Sequence, residues 1–203
     1  MRAWVDVLKD WPSDVKASYN VAPTQTVPIF TPDGGIGAKW SLIPAWSKDL
    51  NPKYATFNAR LEGIESKPAF RNAWKQSQRC LIPAMGYYEW KGEKGNKQPY
   101  FVYSVDGEPV VFAGLYEPAR DDKPASCTII TKAATGKMAE LHSRVPVFVS
   151  LQEVGDWYTL PPASALELVS SESSVMTDYY PVSKAVGNSR NDDPRLIDRV
   201  ELN

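Results

Sequence analysis

The segment LHSRVP holds the only histidine of a 203-residue chain, His142, two residues before Arg144. On extended backbone that spacing turns both side chains to one face, an imidazole that can move protons beside a guanidinium that can fork onto a phosphate. FNAR repeats the geometry with Asn58 and Arg60, an amide to orient a polar group and a second guanidinium. In GYYEWKG, period-two alternation sets Glu89 on the face of Tyr87 and Lys91, opposite Tyr88 and Trp90. Aromatic neighbours that strip part of its water make such a carboxylate a proton donor and acceptor near neutrality. KWSLIPAWSKD adds Trp46 and Lys48 after a proline, an exposed ring with a basic flank of the kind that stacks on a nucleobase, whereas Trp40 reads as core. Each feature alone has a plainer reading: a turn asparagine, an arginine pairing a carboxylate, an outward-facing strand acid, a structural histidine. Chemistry requires that they meet.

What must position them is a core of ordinary size. With 43% hydrophobic and 11% aromatic residues the chain can bury one domain's worth of side chains. A net charge of −1 excludes bulk attraction to polyanions, but the charge is uneven. Residues 37 to 100 carry eleven Lys and Arg against five Asp and Glu, and residues 151 to 203 carry four against nine, a pointer to an anionic ligand on one face. Cys80 and Cys127 sit inside the apolar runs RCLIPA and SCTII and read as buried thiols. With one histidine and two distant cysteines a structural zinc is excluded, so neither metal nor cofactor is expected. No apolar stretch is long enough to cross a bilayer and MRAWVDVLKDW has no signal-peptide pattern, so a cytoplasmic protein is expected.

Trp4, Val7, Leu8 and Trp11 recur at helical spacing and predict a helix over about residues 3 to 11. From about residue 18 to 150 short β-rich runs follow: VPIF, IGAKWSLIP, RCLIPAMGYYEW, PYFVYSV, PVVFAGLYE, SCTIITKAA and RVPVFVS. Several are joined by turn residues, as in TPDGG, GEKGNKQ and VDGE. Helical patches interrupt them at SKPAFRNAWKQ, TGKMAELHS and SLQEVGDWYTL, and a C-terminal helix and tail fill about 150 to 203. The expected fold is α+β, a single domain with a barrel-like core of hairpins decorated by short helices.

Taken in order, YNVAPTQ, KWSLIPAWSKD, FNARLEG, KPAFRNAW, RCLIPAMGYYEWKG, FAGLYE, CTIIT, LHSRVPVFV and YPVSKAVGN resemble the successive motifs of the SRAP family, the SOS response-associated peptidase or abasic-site-processing proteins. The resemblance runs from about Ser18 to about Asn191. It implies a monomer that binds single-stranded DNA in a basic cleft and processes abasic sites. In that family the cysteine after the initiator Met becomes the N-terminus; its α-amine condenses with the ring-opened sugar aldehyde and its thiol closes a thiazolidine. An α-amine suits this work, because a pKa of about 7.7 to 8.0 leaves far more free amine at neutrality than a lysine near 10.4. Carried over by motif, Asn58 would hold the N-terminal residue and the sugar, and Glu89 would shuttle protons in ring opening and imine formation. His142 would act with Glu89, including in reversal, and Arg60 and Arg144 would take phosphates.

One departure stands out. The family begins Met-Cys-Gly-Arg and this chain begins MRAW, with Arg2 in the cysteine's place. Either Met1 is an internal methionine of a longer chain that carries the segment upstream, which is the reading preferred here, or the protein binds DNA without linking to it. A peptidase acting in trans is disfavoured, since no thiol pairs with His142. An unrelated small-ligand barrel would require Asn58, Glu89 and His142 to lie on separate faces.

Overall fold

The computed structural model describes residues 4–50, 54–93 and 95–202. Alternation and turn chemistry produce a first hairpin, β1 (Thr26–Thr31) and β2 (Gly34–Trp40), closed by Pro32 and Asp33 with Gly34 at φ +121°. After β3 (Asn58–Arg60) and a short helix α1 (Arg71–Lys75) come β4 (Arg79–Ala84), β5 (Tyr87–Lys91), β6 (Gln98–Ser104), β7 (Val110–Glu117) and β8 (Ser126–Ala133). Helix α2 (Gly136–Leu141), β9 (Arg144–Pro146), α3 (Val154–Thr159), α4 (Pro162–Ser170) and β10 (Thr177–Pro181) complete the order.

Five strands close on themselves. The order β2-β1-β4-β7-β8 is completed by a parallel pairing of β8 with β2, Lys39 opposite Ser126 and Trp40 opposite Cys127. Where β2 leaves that edge, β3 takes it over in parallel, Asn58 opposite Ile129 and Arg60 opposite Thr131. β9 pairs antiparallel with the same end of β8. Strand alternation separates two clusters. Val27, Ile29, Cys80, Ile82, Phe112, Cys127 and Ile129 fill the interior. Phe30, Leu81, Val111, Ala113, Leu115 and Ile130 face outward under α1, α3 and α4, whose Trp74, Trp157, Ala165 and Val169 cover them.

A second sheet, β10-β6-β5, is antiparallel throughout and leaves the barrel at Gly86. A side chain there would meet the Phe101 ring at 2.3 Å and the Val102 carbonyl at 2.4 Å, so only glycine lets β4 turn directly into β5. Tyr88 and Trp90 pack on Phe101, Val182 and Leu196, which turns Tyr87 and Glu89 the other way, toward the barrel.

Two expectations need correction. Over residues 4–11 the chain makes a single turn, Val7 and Leu8 both donating to the Trp4 carbonyl, instead of a helix. Asp10 at φ +59° breaks any continuation, and only Trp4 of the expected apolar stripe is fully buried, with Trp11 46% exposed. The region from 150 onward is not a helix and tail: TDYYP forms β10, an outer strand of the second sheet, so the β core reaches Pro181. The expected helices at SKPAFRNAWKQ, TGKMAELHS and SLQEVGDWYTL are present as α1, α2 and a 3-10 turn running into α3. Among the described residues no helix is long and apolar enough to cross a membrane.

Candidate functional site

Glu89 and His142 meet. β5 presents the carboxylate, 23% exposed, and α2 ends at His142, whose backbone turns extended (φ −152°, ψ 151°) and throws the ring back across the sheet. His142 Nδ1 lies 3.7 Å from Glu89 Oε2. Glu89 Oε1 is held by the Trp90 backbone N–H at 3.1 Å, which leaves Oε2 to face the imidazole.

The imidazole has two settings. Nδ1 is 3.2 Å from the Arg144 N–H and 3.1 Å from the Arg144 carbonyl, and only one of these bonds exists at a time. With Nδ1 bare it accepts from the N–H; with Nδ1 protonated it donates to the carbonyl, with Glu89 as the adjacent anion. In both settings Nε2 is without a partner among the described residues, so a ring that is 41% exposed can hand protons outward. Tyr87 cannot share this work, because burial and the neighbouring Glu89 charge push its phenol up and keep it protonated.

Asn58 and Arg60 are both exposed and flank the fully buried Ala59, so they share one face of β3 as their spacing requires. Their register partners Ile129 and Thr131 place that face on the interior side of β8, and Ile129 belongs to the cluster that contains Phe112 and Phe148. Tyr87, on the Glu89 face of β5, packs against those same two phenylalanines, with ring centroids 5.9 and 6.4 Å apart. The strands of the amide and of the acid thus both border one aromatic-rich cluster at the barrel mouth.

The two arginines of the paired motifs differ. Arg60 makes no hydrogen bond or ion pair with the described residues. Arg144 is engaged: Nη1 and Nη2 fork onto the two oxygens of Glu62 at 2.8 Å each, and Nη2 also reaches the carbonyl and hydroxyl of Thr131. The Arg144 guanidinium holds the Glu62 carboxyl down at about 2. The only signal of Glu62 in NARLEG is its place two residues past Arg60.

Trp46 is 53% exposed and its ring is tethered through Nε1 to the Pro68 carbonyl at 3.2 Å. The loop around it is stapled by Lys39 donating to the Leu50 carbonyl and Lys123 donating to the Ala45 carbonyl, both at 3.0 Å. Lys39 belongs to the KWSLIPAWSKD motif, whereas Lys123 is not legible from it, since it lies 78 residues from the loop it holds. Lys48 is exposed on that loop, and Trp40 packs against the interior cluster with its indole donating to the Phe57 carbonyl at 2.8 Å.

Cys80 and Cys127 are fully buried, and desolvation raises both thiols. Neither is a nucleophile. The residues Met1 to Ala3, where the family motif would begin, lie outside the described residues. Among the described residues no three His, Cys, Asp or Glu side chains converge as metal ligands would. A groove of about 840 Å³ lined by Glu62, Lys132, Met138, Val145 and Phe148 lies beside the site, and Asn58, Glu89 and His142 are outside its lining.

The model of the family described as SOS response associated peptidase (SRAP) matches residues 2–189. Abasic site processing protein YoqW of Bacillus subtilis is 34% identical over 192 residues, 89% of this chain and 85% of that protein. Abasic site processing protein YoaM of the same organism is 35% identical over 197 residues, 91% and 86% of the two chains. A crystal structure of a protein from Bacteroides thetaiotaomicron superposes with a TM-score of 0.81 at 27% identity, covering 93% of this chain and 88% of that one. The order of motifs along the sequence, the closed barrel and these matches agree: the chain belongs to the SOS response associated peptidase (SRAP) family.

Proposed function

We propose that this protein binds single-stranded DNA as a monomer and processes abasic sites at the barrel mouth. The observation that carries the reading is the 3.7 Å approach of Glu89 and His142, together with an Arg60 that has no partner among the described residues. Arg60 and Lys48 take backbone phosphates, and Trp46 offers its tethered ring to a base. Arg144 has one Nη1 hydrogen left for a phosphate oxygen after Glu62 and Thr131 take their share. Asn58 orients the open sugar.

The covalent step needs an amine and a thiol on one residue. The amine attacks the C1′ aldehyde, water leaves as the C=N bond forms, and the thiol adds to that carbon while its proton passes to nitrogen. Glu89 and His142 supply and collect those protons. Both internal thiols are sealed in the core, and the resemblance to the family implies that the reacting thiol belongs to an N-terminal cysteine. The burial of Cys80 and Cys127 also favours a second reading for the sequence as it stands, a single-strand binder without the link.

The test compares two proteins on an oligonucleotide with one abasic site: the given chain, and the chain beginning Met-Cys-Gly-Arg. The expected result is an adduct surviving denaturing electrophoresis from the second alone, with salt-dependent non-covalent binding by both. No adduct from the second protein would overturn the processing reading. Salt-insensitive binding by both would overturn the binder as well.

A further inference from the structure

We propose that Glu62 is a positioning residue of this site, acting through Arg144 to fix the spacing between the strand that carries Asn58 and Arg60 and the turn that carries His142. The inference rests on the reading of the barrel mouth as a DNA-processing site.

Glu62 follows β3 directly, two residues past Arg60, and its two oxygens occupy the two Nη groups of Arg144 at 2.8 Å each. Oε1 also accepts the Ala133 backbone N–H at 3.2 Å, at the end of β8. The other hydrogen of Arg144 Nη2 goes to Thr131, on β8 between β3 and β9. One carboxylate–guanidinium fork therefore ties β3, β8 and β9 together. Arg144 in turn supplies, from its own backbone, both groups that face His142 Nδ1. Any shift of Arg144 is a shift of the imidazole against Glu89.

A fork is rigid where a single contact is not, because two parallel bonds fix both distance and plane. With Nε buried, the fork also limits Arg144 to one Nη1 hydrogen for DNA. Removing the Glu62 charge frees the guanidinium to follow a phosphate and at the same time loosens the His142 turn. Binding and chemistry should then move apart, an outcome that loss of a simple phosphate contact does not give.

The experiment uses the chain given a Met-Cys-Gly-Arg start and its Glu62→Gln and Arg144→Lys variants, each checked by thermal melting, with adduct formation followed on an abasic oligonucleotide. Glu62→Gln is expected to lower the rate at saturating DNA roughly tenfold or more, with half-saturation unchanged or at lower DNA concentration. Arg144→Lys keeps the charge but cannot fork, so it should show the same rate defect, and the double variant should be no slower than the slower single one. Glu62→Asp should recover part of the rate. A Glu62→Gln rate equal to the parent's, a defect lying wholly in half-saturation, or multiplying defects in the double variant would each overturn the proposal. A parent that forms no adduct defeats the processing reading itself, whereas a linking parent matched by Glu62→Gln defeats only the role of Glu62.

Discussion

Two arginines on opposite faces of the same barrel show how differently this fold treats one residue type. Arg79, at the start of β4, is 1% exposed under the helical layer, where its guanidinium lies between the rings of Trp74 and Trp157 at 5.6 and 5.3 Å. It donates to the Trp157 and Leu160 carbonyls, each at 2.8 Å, and to Ser77. These carbonyls end α3, so the cation caps a helix with no carboxylate of the described residues in contact, and burial lowers its pKa from the ordinary arginine value. Arg60, at the mouth, is exposed and has no partner among the described residues. A cation whose Nη groups are taken up by two carbonyls and a hydroxyl between two rings is architecture; an exposed one whose donors find no partner among the described residues is equipped for a ligand.

If that division is right, substitutions at the mouth should change chemistry and spare the fold, and those under the helices should do the reverse. The largest effect is expected for Glu89→Gln in the chain beginning Met-Cys-Gly-Arg. Loss of proton transfer should slow adduct formation by about 10²–10⁴-fold, while the melting temperature stays at the parent value. Gel quantification against time, beside a calorimetric scan, checks both halves. A variant that links at the parental rate removes Glu89 from the chemistry.

Next comes Arg79→Ala. It leaves two carbonyls at the end of α3 unpaired and a void between two indoles, and should cost about 3 kcal/mol, read as a fall of roughly 10 °C in melting temperature. Below that temperature the rate per folded molecule should match the parent's. A specific loss of linking without loss of stability would blur the line between the two faces.

That contrast was only half legible in the sequence. Alternation and turn residues gave the hairpins, because a strand with one buried face must repeat every second residue, and the same period put Glu89 beside Tyr87 and set Asn58 and Arg60 together. The partners were not legible. Arg79 in QSQRC looks no different from Arg60 in FNAR, since what separates them is a helix end 78 residues further on. The fork between Glu62 and Arg144 spans 82 residues, so NARLEG shows an acid without showing what it holds. TDYYP is too short and too flanked by Ser and Pro to announce a strand; only the edge of β6 makes it one. The opening apolar residues failed in the other direction: Trp4, Val7 and Leu8 do cover the outer cluster, but Asp10 at φ +59° ends the segment after one turn, too short for a helix to sustain itself.

Smaller, and confined to binding, is the effect of Arg60→Ala. The plot of log affinity for single-stranded DNA against log salt concentration should lose about 0.7 from its slope, the share of one phosphate contact. Glu89→Gln should leave that slope alone. Fluorescence anisotropy with an unmodified oligonucleotide across a salt series resolves the two, and an unchanged slope in Arg60→Ala would return this arginine to the ordinary surface.

The smallest effect separates the fork from both arginines. Glu62 titrates at about 2 in the folded protein against an ordinary value of 4.5. Its charged form is thus favoured by folding, and the stability it adds is complete above about pH 4.5 and is lost as pH falls through about 2. Glu62 is 55% exposed, so solvent screening leaves about 1 kcal/mol of the nominal gain. The difference in unfolding free energy between the parent and Glu62→Gln should be flat from pH 5 to 8, because neither partner changes charge there, and should close below pH 4.5. Denaturant titrations at four or five pH values measure it. A difference that instead grew toward acid would mean that the carboxyl is bound in its protonated form, and the fork could not then be what holds the mouth in register.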